Sequence, residues 1–304
     1  MKYLPFTKYS FSGSPVACPI CGNSKRTQIS RYDRRFKILP QSKCDECALV
    51  RHEFMLSDEQ LSQYYSTSYR SDYQWVNSAP TSRHIEKRVS EAKTRLNNLN
   101  PYLKKNPKIL DFGCGSGEFI ELAQKKGALA TGFEPGDLYA AYARDQKRLD
   151  VQNCGWENYD QKKKVDVVTA FHVFEHLIDP LKAFQKSISW LNNNGLIYIE
   201  VPNMAKGLKL KGFGSLHMAH TIGFGRYSLE LLGAYCGMKT IEVFDEFDIG
   251  MIFKKGIPRP LEEIKKNSID EFANINFKQV NKQFWLYSTR KLFGKRYKNS
   301  FIVQ

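Results

Sequence analysis

Apolar residues recur at three- and four-residue steps between Thr81 and Leu99, at Ile85, Val89, Ala92, Leu96 and Leu99, which predicts an amphipathic helix with one buried face, closed by Pro101. Short apolar runs and helical patterns then alternate. Ile109 and Leu110 predict a strand, followed by a helix through Phe119, Ile120, Leu122 and Ala123. Leu129 to Phe133 and Val165 to Ala170 predict two more strands. Asp179 and Pro180 read as the cap and first turn of a helix carrying Leu181, Phe184, Ile188 and Leu191. Leu196 to Val201 predicts a strand, Ser228 to Tyr235 a helix stopped by Gly237, and Thr240 to Phe244 with Ile249 to Lys254 a closing hairpin. Strands alternating with helices predict an α/β fold with a doubly wound sheet.

The flanks do not follow that pattern. Before residue 60 the apolar side chains are too few for an independent core, and only Gln28 to Tyr32 and Ala48 to Val50 suggest short strands. Four of the seven cysteines form two close pairs there, Cys18/Cys21 in CPIC and Cys44/Cys47 in CDEC, with 22 residues between the pairs; Cys114, Cys154 and Cys236 stand alone. Such knuckles let four thiolates reach one ion at about 2.3 Å, and Gly22 gives the first room to curl. Four thiolates fill the shell, so the expected zinc is structural, and its binding supplies folding energy that the segment lacks. Next comes an aromatic connector with Tyr64, Tyr65, Tyr69, Tyr73 and Trp75, for which packing between domains is the expectation and stacking on bases or a substrate ring the alternative. Beyond Ile257, Pro260 with Glu262 and Glu263 can start a helix, and Phe277, Val280, Phe284 and Tyr287 repeat at helical spacing in a basic stretch. A helix docked on the catalytic domain is expected, with membrane-surface contact as the alternative. The division is a zinc ribbon at 1–60, a connector and helix at 61–104, the α/β domain at 105–256 and a basic extension at 257–304.

Composition narrows the class. With 42% apolar and 25% charged residues in 304, the chain is an ordinary globular one, and no apolar run approaches the roughly 18 to 20 residues of a membrane span. The first residues lack a secretory pattern, so a soluble cytoplasmic protein is expected. The net charge of +15 raises the possibility of nucleic acid, but residues 254–304 hold twelve Lys or Arg against four Asp or Glu, so over half of the excess belongs to the tail.

The candidate chemistry begins at Lys108. In KILDFGCGSG the strand ends in Asp111, and Gly113, Gly115 and Gly117 allow a tight turn that brings backbone N–H groups to a ligand at a helix N-terminus. A dinucleotide fingerprint is one reading of those glycines. Asp111 would repel a pyrophosphate, however, and suits a ligand with a positive amino group. The next strand ends in Glu134, 17 residues after Gly117, where a carboxylate can accept two ribose hydroxyls. A ligand with an amino-acid end and a nucleoside end is S-adenosylmethionine.

From about residue 105 to 255 the chain resembles class I S-adenosylmethionine-dependent methyltransferases, through DFGCGSG, GFEPG, KVDVVTAFHVFEHLIDP and GLIYIEVPN, and most of all the ubiquinone-biosynthesis O-methyltransferase group. The ribbon and Tyr-rich connector resemble methyltransferases of bacterial sugar and surface-polysaccharide pathways. The resemblance implies a Rossmann-like sheet of seven strands, the last antiparallel. It also implies contact of Asp111 and the glycine loop with the methionine moiety, of Glu134 with ribose, and of adenine with Asn153 to Trp156; Trp156 is the aromatic candidate, with packing as its alternative role.

Transfer needs an aligned nucleophile and, for a hydroxyl or carbon acid, a base. Four of the six histidines fall late in the chain, at His172, His176, His217 and His220. If 172–177 makes a helical turn, His172, Glu175 and His176 share a face. That face could work as a base oriented by a carboxylate, or hold a divalent metal with His220. Small-RNA 2′-O-methyltransferases resemble this with Glu where this chain has His172. Sugar C-methyltransferases resemble HTIGFGRYS but carry an acidic residue where Ala219 stands. His176 or His220 is the expected base and Glu175 the orienting group, with each histidine filling a turn as the plain alternative. The acceptor is expected to be a small polar metabolite, a sugar nucleotide or glycan precursor, methylated at O or C. An RNA methyltransferase gripping phosphate with ribbon and tail is the alternative; the ribbon's few aromatics and mixed charge disfavour it. A binding module without turnover is disfavoured by the intact Asp111, glycine loop and Glu134.

Overall fold

The computed structural model describes residues 6–11, 13–64, 81–160 and 163–282. Its main sheet is built from β4 (Lys108–Phe112), β5 (Leu129–Phe133), β6 (Val151–Gln152), β7 (Val165–Phe171), β8 (Leu191–Pro202), β10 (Met238–Asp245) and β11 (Asp248–Lys255). The spatial order is β10-β11-β8-β7-β4-β5-β6. Strands β4 to β8 pair in parallel, while β11 runs antiparallel to β8 and β10 to β11. The expected seven-stranded, doubly wound sheet is thus present.

Neighbouring residues along each central strand enter opposite cores, as the pleat requires. Leu110, Val168, Ile197 and Phe253 face one layer, and Ile109, Val167, Leu196 and Ile252 the other. The second layer is covered by α2 (Ser82–Leu99) and α3 (Glu118–Lys125), through Ala92, Leu96, Leu99, Phe119 and Ala123. Thr81 caps α2 by accepting from the His84 N–H at 3.3 Å, and Pro101 opens a 3-10 turn at Asn100–Tyr102. The first layer is covered by α5 (Pro180–Ser189) and α7 (Arg226–Tyr235), and Phe184 meets Phe253 edge to face at 5.3 Å. Asp179 does cap α5, accepting from the Lys182 N–H at 2.9 Å. Leu191 was expected in that helix but opens β8, because Trp190 ends the helix and Leu191 pairs with Val165. Helices α4 (Asp137–Ala141) and α6 (Met204–Lys211) lay outside the sequence pattern.

The amino-terminal segment makes a second sheet of β1 (Arg26–Tyr32), β2 (Ile38–Cys44), β3 (Val50–His52) and β9 (Ile222–Gly223), in that order. Its fourth strand therefore comes from far along the chain, where Val50 pairs with Gly223 and Arg51 with Ile222. The ribbon expectation needs two corrections. Ala48 and Leu49 lie in the turn before β3, with Ala48 in the left-handed region at φ 55°. Strand β2 was missed because Pro40, Gln41 and Ser42 read as loop; Gln41 and Ser42 are buried, and Pro40 sits where the ladder to β1 shifts register, so its missing N–H is not needed there.

A short α1 (Asp58–Tyr64) ends at Tyr64, which is buried and meets Phe11 edge to face at 5.8 Å. Tyr65, Tyr69, Tyr73 and Trp75 lie outside the described residues, as do Phe284 and Tyr287. The carboxyl-terminal helices α8 (Leu261–Glu271) and α9 (Phe277–Lys282) dock on the body, burying Ile264 beside α7 and Phe272, Ile275 and Val280 against Ile29 and Leu208. No helix among the described residues is long and apolar enough to cross a membrane.

The closeness of α7 to β11 depends on Gly233, where an added Cβ would stand 2.4 Å from the Phe253 ring. Gly233→Val is expected to lower unfolding free energy by about 1–3 kcal/mol in urea titration, and an unchanged midpoint would contradict this packing.

Candidate functional site

The parallel strands end along one edge, and the segments that leave them carry the candidate residues. Asp111, near the end of β4, is 3% exposed and accepts a hydrogen bond of 2.6 Å from the Thr169 hydroxyl on β7. Burial pushes its pKa up to about 7, against the pull of Thr169 and the Arg95 charge. The next residues turn back on β5: the N–H groups of Gly113 and Cys114 both donate to the Phe133 carbonyl, at 2.9 and 3.0 Å. Gly113, Gly115 and Gly117 all have φ between 55° and 81°. At Gly115 an added Cβ would meet nothing within 4 Å, so the loop faces open space there. Glu134, just past β5, clamps this loop, accepting from the N–H of Gly115 at 3.0 Å and of Gly136 at 2.8 Å. Asn153 in turn donates to the Glu134 carbonyl at 3.0 Å. Trp156, three residues on, is half-buried against the core, with the Lys186 ammonium 6.0 Å from its ring.

Beyond β7 the expected helical turn from His172 does not form. His172 takes the left-handed conformation at φ 57°, and the only turn is a 3-10 one at Phe174–His176. The side chains nevertheless converge. His172 Nδ1 lies 3.3 Å and His176 Nε2 3.7 Å from Glu175 Oε1, and His220 Nε2 reaches the same oxygen at 3.9 Å. Glu175 is 1% exposed, and its Oε2 is buried without a hydrogen-bond partner. His176 Nδ1 is 2.7 Å from the Ala219 carbonyl, which can only accept, so Nδ1 carries the proton and Nε2 the lone pair of the neutral ring.

The histidines differ in charge. Burial favours a neutral His172, but hydrogen bonds to Asp248 and Glu175 and their negative charges outweigh it and hold the ring at about pKa 9. His176 and His220 are pushed below the usual histidine range by burial. At neutral pH one imidazolium therefore stands beside two neutral imidazoles. His172 Nε2 is also 3.5 Å from both Glu200 and Asp248, and Arg95 on α2 donates to Glu200 at 2.9 Å. Arg95, Thr169, Glu200 and Asp248 escaped the sequence reading. Arg95 left a trace, as a charge on the buried face of α2, and Glu200 another, as the charge within an apolar strand.

The four ribbon cysteines cluster, with Cys18 and Cys47 sulfurs 3.5 Å apart, Cys21 and Cys44 sulfurs 3.5 Å apart, and all four within 4.8 Å. Sulfurs at about 2.3 Å from a tetrahedral centre would be about 3.8 Å apart, so the cluster fits a metal such as zinc. Both knuckles curl alike: the Gly22 N–H bonds the Cys18 carbonyl at 2.9 Å and the Ala48 N–H the Cys44 carbonyl at 3.0 Å. Cys114, Cys154 and Cys236 are free thiols.

A family model described as a methyltransferase domain matches residues 83–254, more than half of the chain. The ubiquinone biosynthesis O-methyltransferase of Histophilus somni is 33% identical over 107 residues, covering 32% of this chain and 45% of that protein. The protein of the same name from Actinobacillus pleuropneumoniae serotype 5b is 24% identical over 191 residues, covering 59% and 73%. The chain thus spans about half the length of the first curated relatives it matches, 45% and 58%. The magnesium protoporphyrin IX methyltransferase of Synechocystis PCC 6803, solved with bound SAH, superposes with a TM-score of 0.51 at 10% identity, over 66% of this chain and all of that one, a likeness of fold.

The buried Asp111 has a consequence for pH. With its folded-state pKa raised from 3.8 to about 7, the folded chain holds a proton that the unfolded chain releases in that window. Stability of the ligand-free protein therefore falls as pH rises from 4 through 7. Asp111→Asn keeps the acceptor for Thr169 and removes the charge, and is expected to raise stability at pH 8 by up to about 4 kcal/mol while leaving it nearly unchanged at pH 4. Urea unfolding at both pH values checks this; a variant destabilised at pH 8 would contradict it.

Proposed function

The chain belongs to the methyltransferase-domain family, the class I S-adenosylmethionine-dependent methyltransferases, and from that premise we propose that it moves the methyl group of S-adenosylmethionine to O or C of a small polar metabolite, a sugar nucleotide or glycan precursor. The observation that carries the cofactor part is the edge formed by buried Asp111, the open face of Gly115 and the clamped Glu134. Asp111 would hold the amino group, Glu134 the ribose hydroxyls and the Asn153 to Trp156 loop the adenine. The bound cofactor supplies a methyl made electrophilic by its sulfonium. The protein's share is to orient the acceptor and take its proton. His176 suits that work, since its Nδ1 is tied to Ala219 and its neutral Nε2 lies on the Glu175 side, with His220 beside it at 4.8 Å between ring centres. The Ala219 carbonyl orients the His176 ring, while Glu175 holds His172, the fixed positive charge, at 3.3 Å and so orients the cluster through it.

What supports a small acceptor is the seclusion of the pair: the side chains of His176 and His220 are 16% and 14% exposed. The relatives' names support O as the receiving atom, and the ribbon's resemblance to sugar-pathway enzymes supports the sugar class. On this reading residues 105–256 do the chemistry, the 1–60 ribbon carries a structural zinc on Cys18, Cys21, Cys44 and Cys47, and the 61–104 and 257–304 segments brace the two. One observation favours a second reading of the histidine cluster, as a divalent-cation site: the unpartnered buried Oε2 of Glu175, with Glu175, His176 and His220 each offering a ligand atom within 4.8 Å of the others.

Calorimetry is expected to detect S-adenosylmethionine binding, weakened at least about tenfold by Asp111→Ala or Glu134→Gln; equal binding by either variant would sink the assignment. Incubation with methyl-labelled cofactor and cell extract should place label in the nucleotide-sugar or glycolipid fraction, and His176→Ala should cut that labelling by about 10² to 10⁴. Label released by ribonuclease would overturn the small-metabolite reading. Metal analysis should give about one zinc per chain, lost in Cys18→Ser/Cys44→Ser. A second divalent ion, lost in His220→Ala, would decide for the cation.

A further inference from the structure

The segment that carries His217 and His220 is held largely by the ribbon. Strand β3 pairs with β9 just after it, and the His52 N–H donates to the Thr221 carbonyl at 3.0 Å. The Arg34 N–H donates to the Leu216 carbonyl at 2.8 Å. From the other side, Thr221 ties the segment to the turn bearing Glu175 and His176, donating to the Leu177 carbonyl at 2.8 Å. Between these points lies the side chain of His52, 1% exposed, with Nε2 at 3.3 Å from the His217 carbonyl.

The chemistry of His52 is specific. A carbonyl only accepts, so Nε2 carries the proton, and Nδ1 is left buried without a partner. Burial pushes the ring down to about pKa 4, which keeps it neutral across physiological pH. An apolar side chain at this place would avoid burying an unpaired acceptor. What the imidazole provides, and an apolar side chain would not, is a donor aimed at the carbonyl three residues before His220.

We propose that His52 is a positioning residue: its Nε2–H, together with the β3–β9 ladder, fixes the loop from His217 to Thr221, so that the ribbon sets where the His220 ring stands against Glu175 and His176. The part of this that concerns acceptor chemistry rests on the function proposed for those three residues. Cys47 lies five residues before His52, so the tetracysteine cluster anchors the strand that carries the positioning group.

The test compares His52→Gln, whose amide nitrogen overlays Nε2 and can donate to the same carbonyl, with His52→Leu, which has no donor. Amide hydrogen exchange of the full chain is read at residues 217–221, and ¹⁵N NMR follows the His220 ring. In His52→Leu, exchange over 217–221 should speed up about tenfold and the His220 ring should titrate closer to the ordinary histidine range, while zinc content and S-adenosylmethionine affinity stay at the unaltered protein's values. His52→Gln should restore both readouts. Should His52→Leu not fold, His52→Asn replaces it, because its amide overlays Nδ1 and misses the carbonyl. Unchanged exchange in the donorless variant, or equally fast exchange in His52→Gln, overturns the proposal. If the unaltered protein binds no S-adenosylmethionine, the functional reading falls, and the exchange comparison still decides what holds the loop.

Discussion

A parallel strand buried on both faces can satisfy its main-chain groups only through its neighbours, and this requirement places everything else in the molecule. Strands β4, β5, β7 and β8 must run in register, so their carboxyl ends come out side by side. Asp111 beside Thr169, Glu134 under the glycine loop, and His172 beside Glu200 are brought together by that register and by no local signal. The pairs Asp111 with Thr169 and Phe171 with Glu200 are in fact ladder partners.

Along that edge charge is sorted by burial and by neighbours. Asp111 sits where an anion is disfavoured, which leaves it partly protonated near neutral pH. His172 lies among three carboxylates and takes their proton, while His176 and His220, a few ångströms away, are kept neutral by the same seclusion. In the function we propose, that cluster of one fixed cation and two neutral imidazoles takes the proton of the methyl acceptor. The ribbon enters this arrangement through β3, whose pairing with β9 joins the cysteine knuckles to the histidine loop.

What the sequence disclosed was whatever local backbone chemistry dictates. The glycine loop, Asp111 and Glu134 were legible because a tight turn after a strand admits few residues, and the cysteine cluster because the CxxC spacing brings two sulfurs close in each knuckle. The central strands were legible from their unbroken apolar runs. Strand β2 was not, since its Gln41 and Ser42 are polar residues buried between β1 and β3. Nor was α6, whose interior Gly207 interrupts the helical pattern and lies against the Ser215 side chain, its hydroxyl 2.9 Å from where a Cβ would stand. Arg95, Asp248 and His52 meet the site only through folding, at sequence separations that no periodicity records. The convergence of His172, Glu175 and His176 was anticipated through a helical turn, and the chain achieves it instead by a left-handed residue followed by a 3-10 turn.

The central claim is that the strand edge around Asp111 receives the amino end of S-adenosylmethionine. Calorimetric titration near pH 7 in two buffers of different ionisation enthalpy tests it most directly, because a cation docking on a half-protonated carboxyl must expel its proton. The account predicts binding with net release of about half a proton per chain, absent in Asp111→Asn. Binding whose heat is the same in both buffers, or no binding, would contradict it.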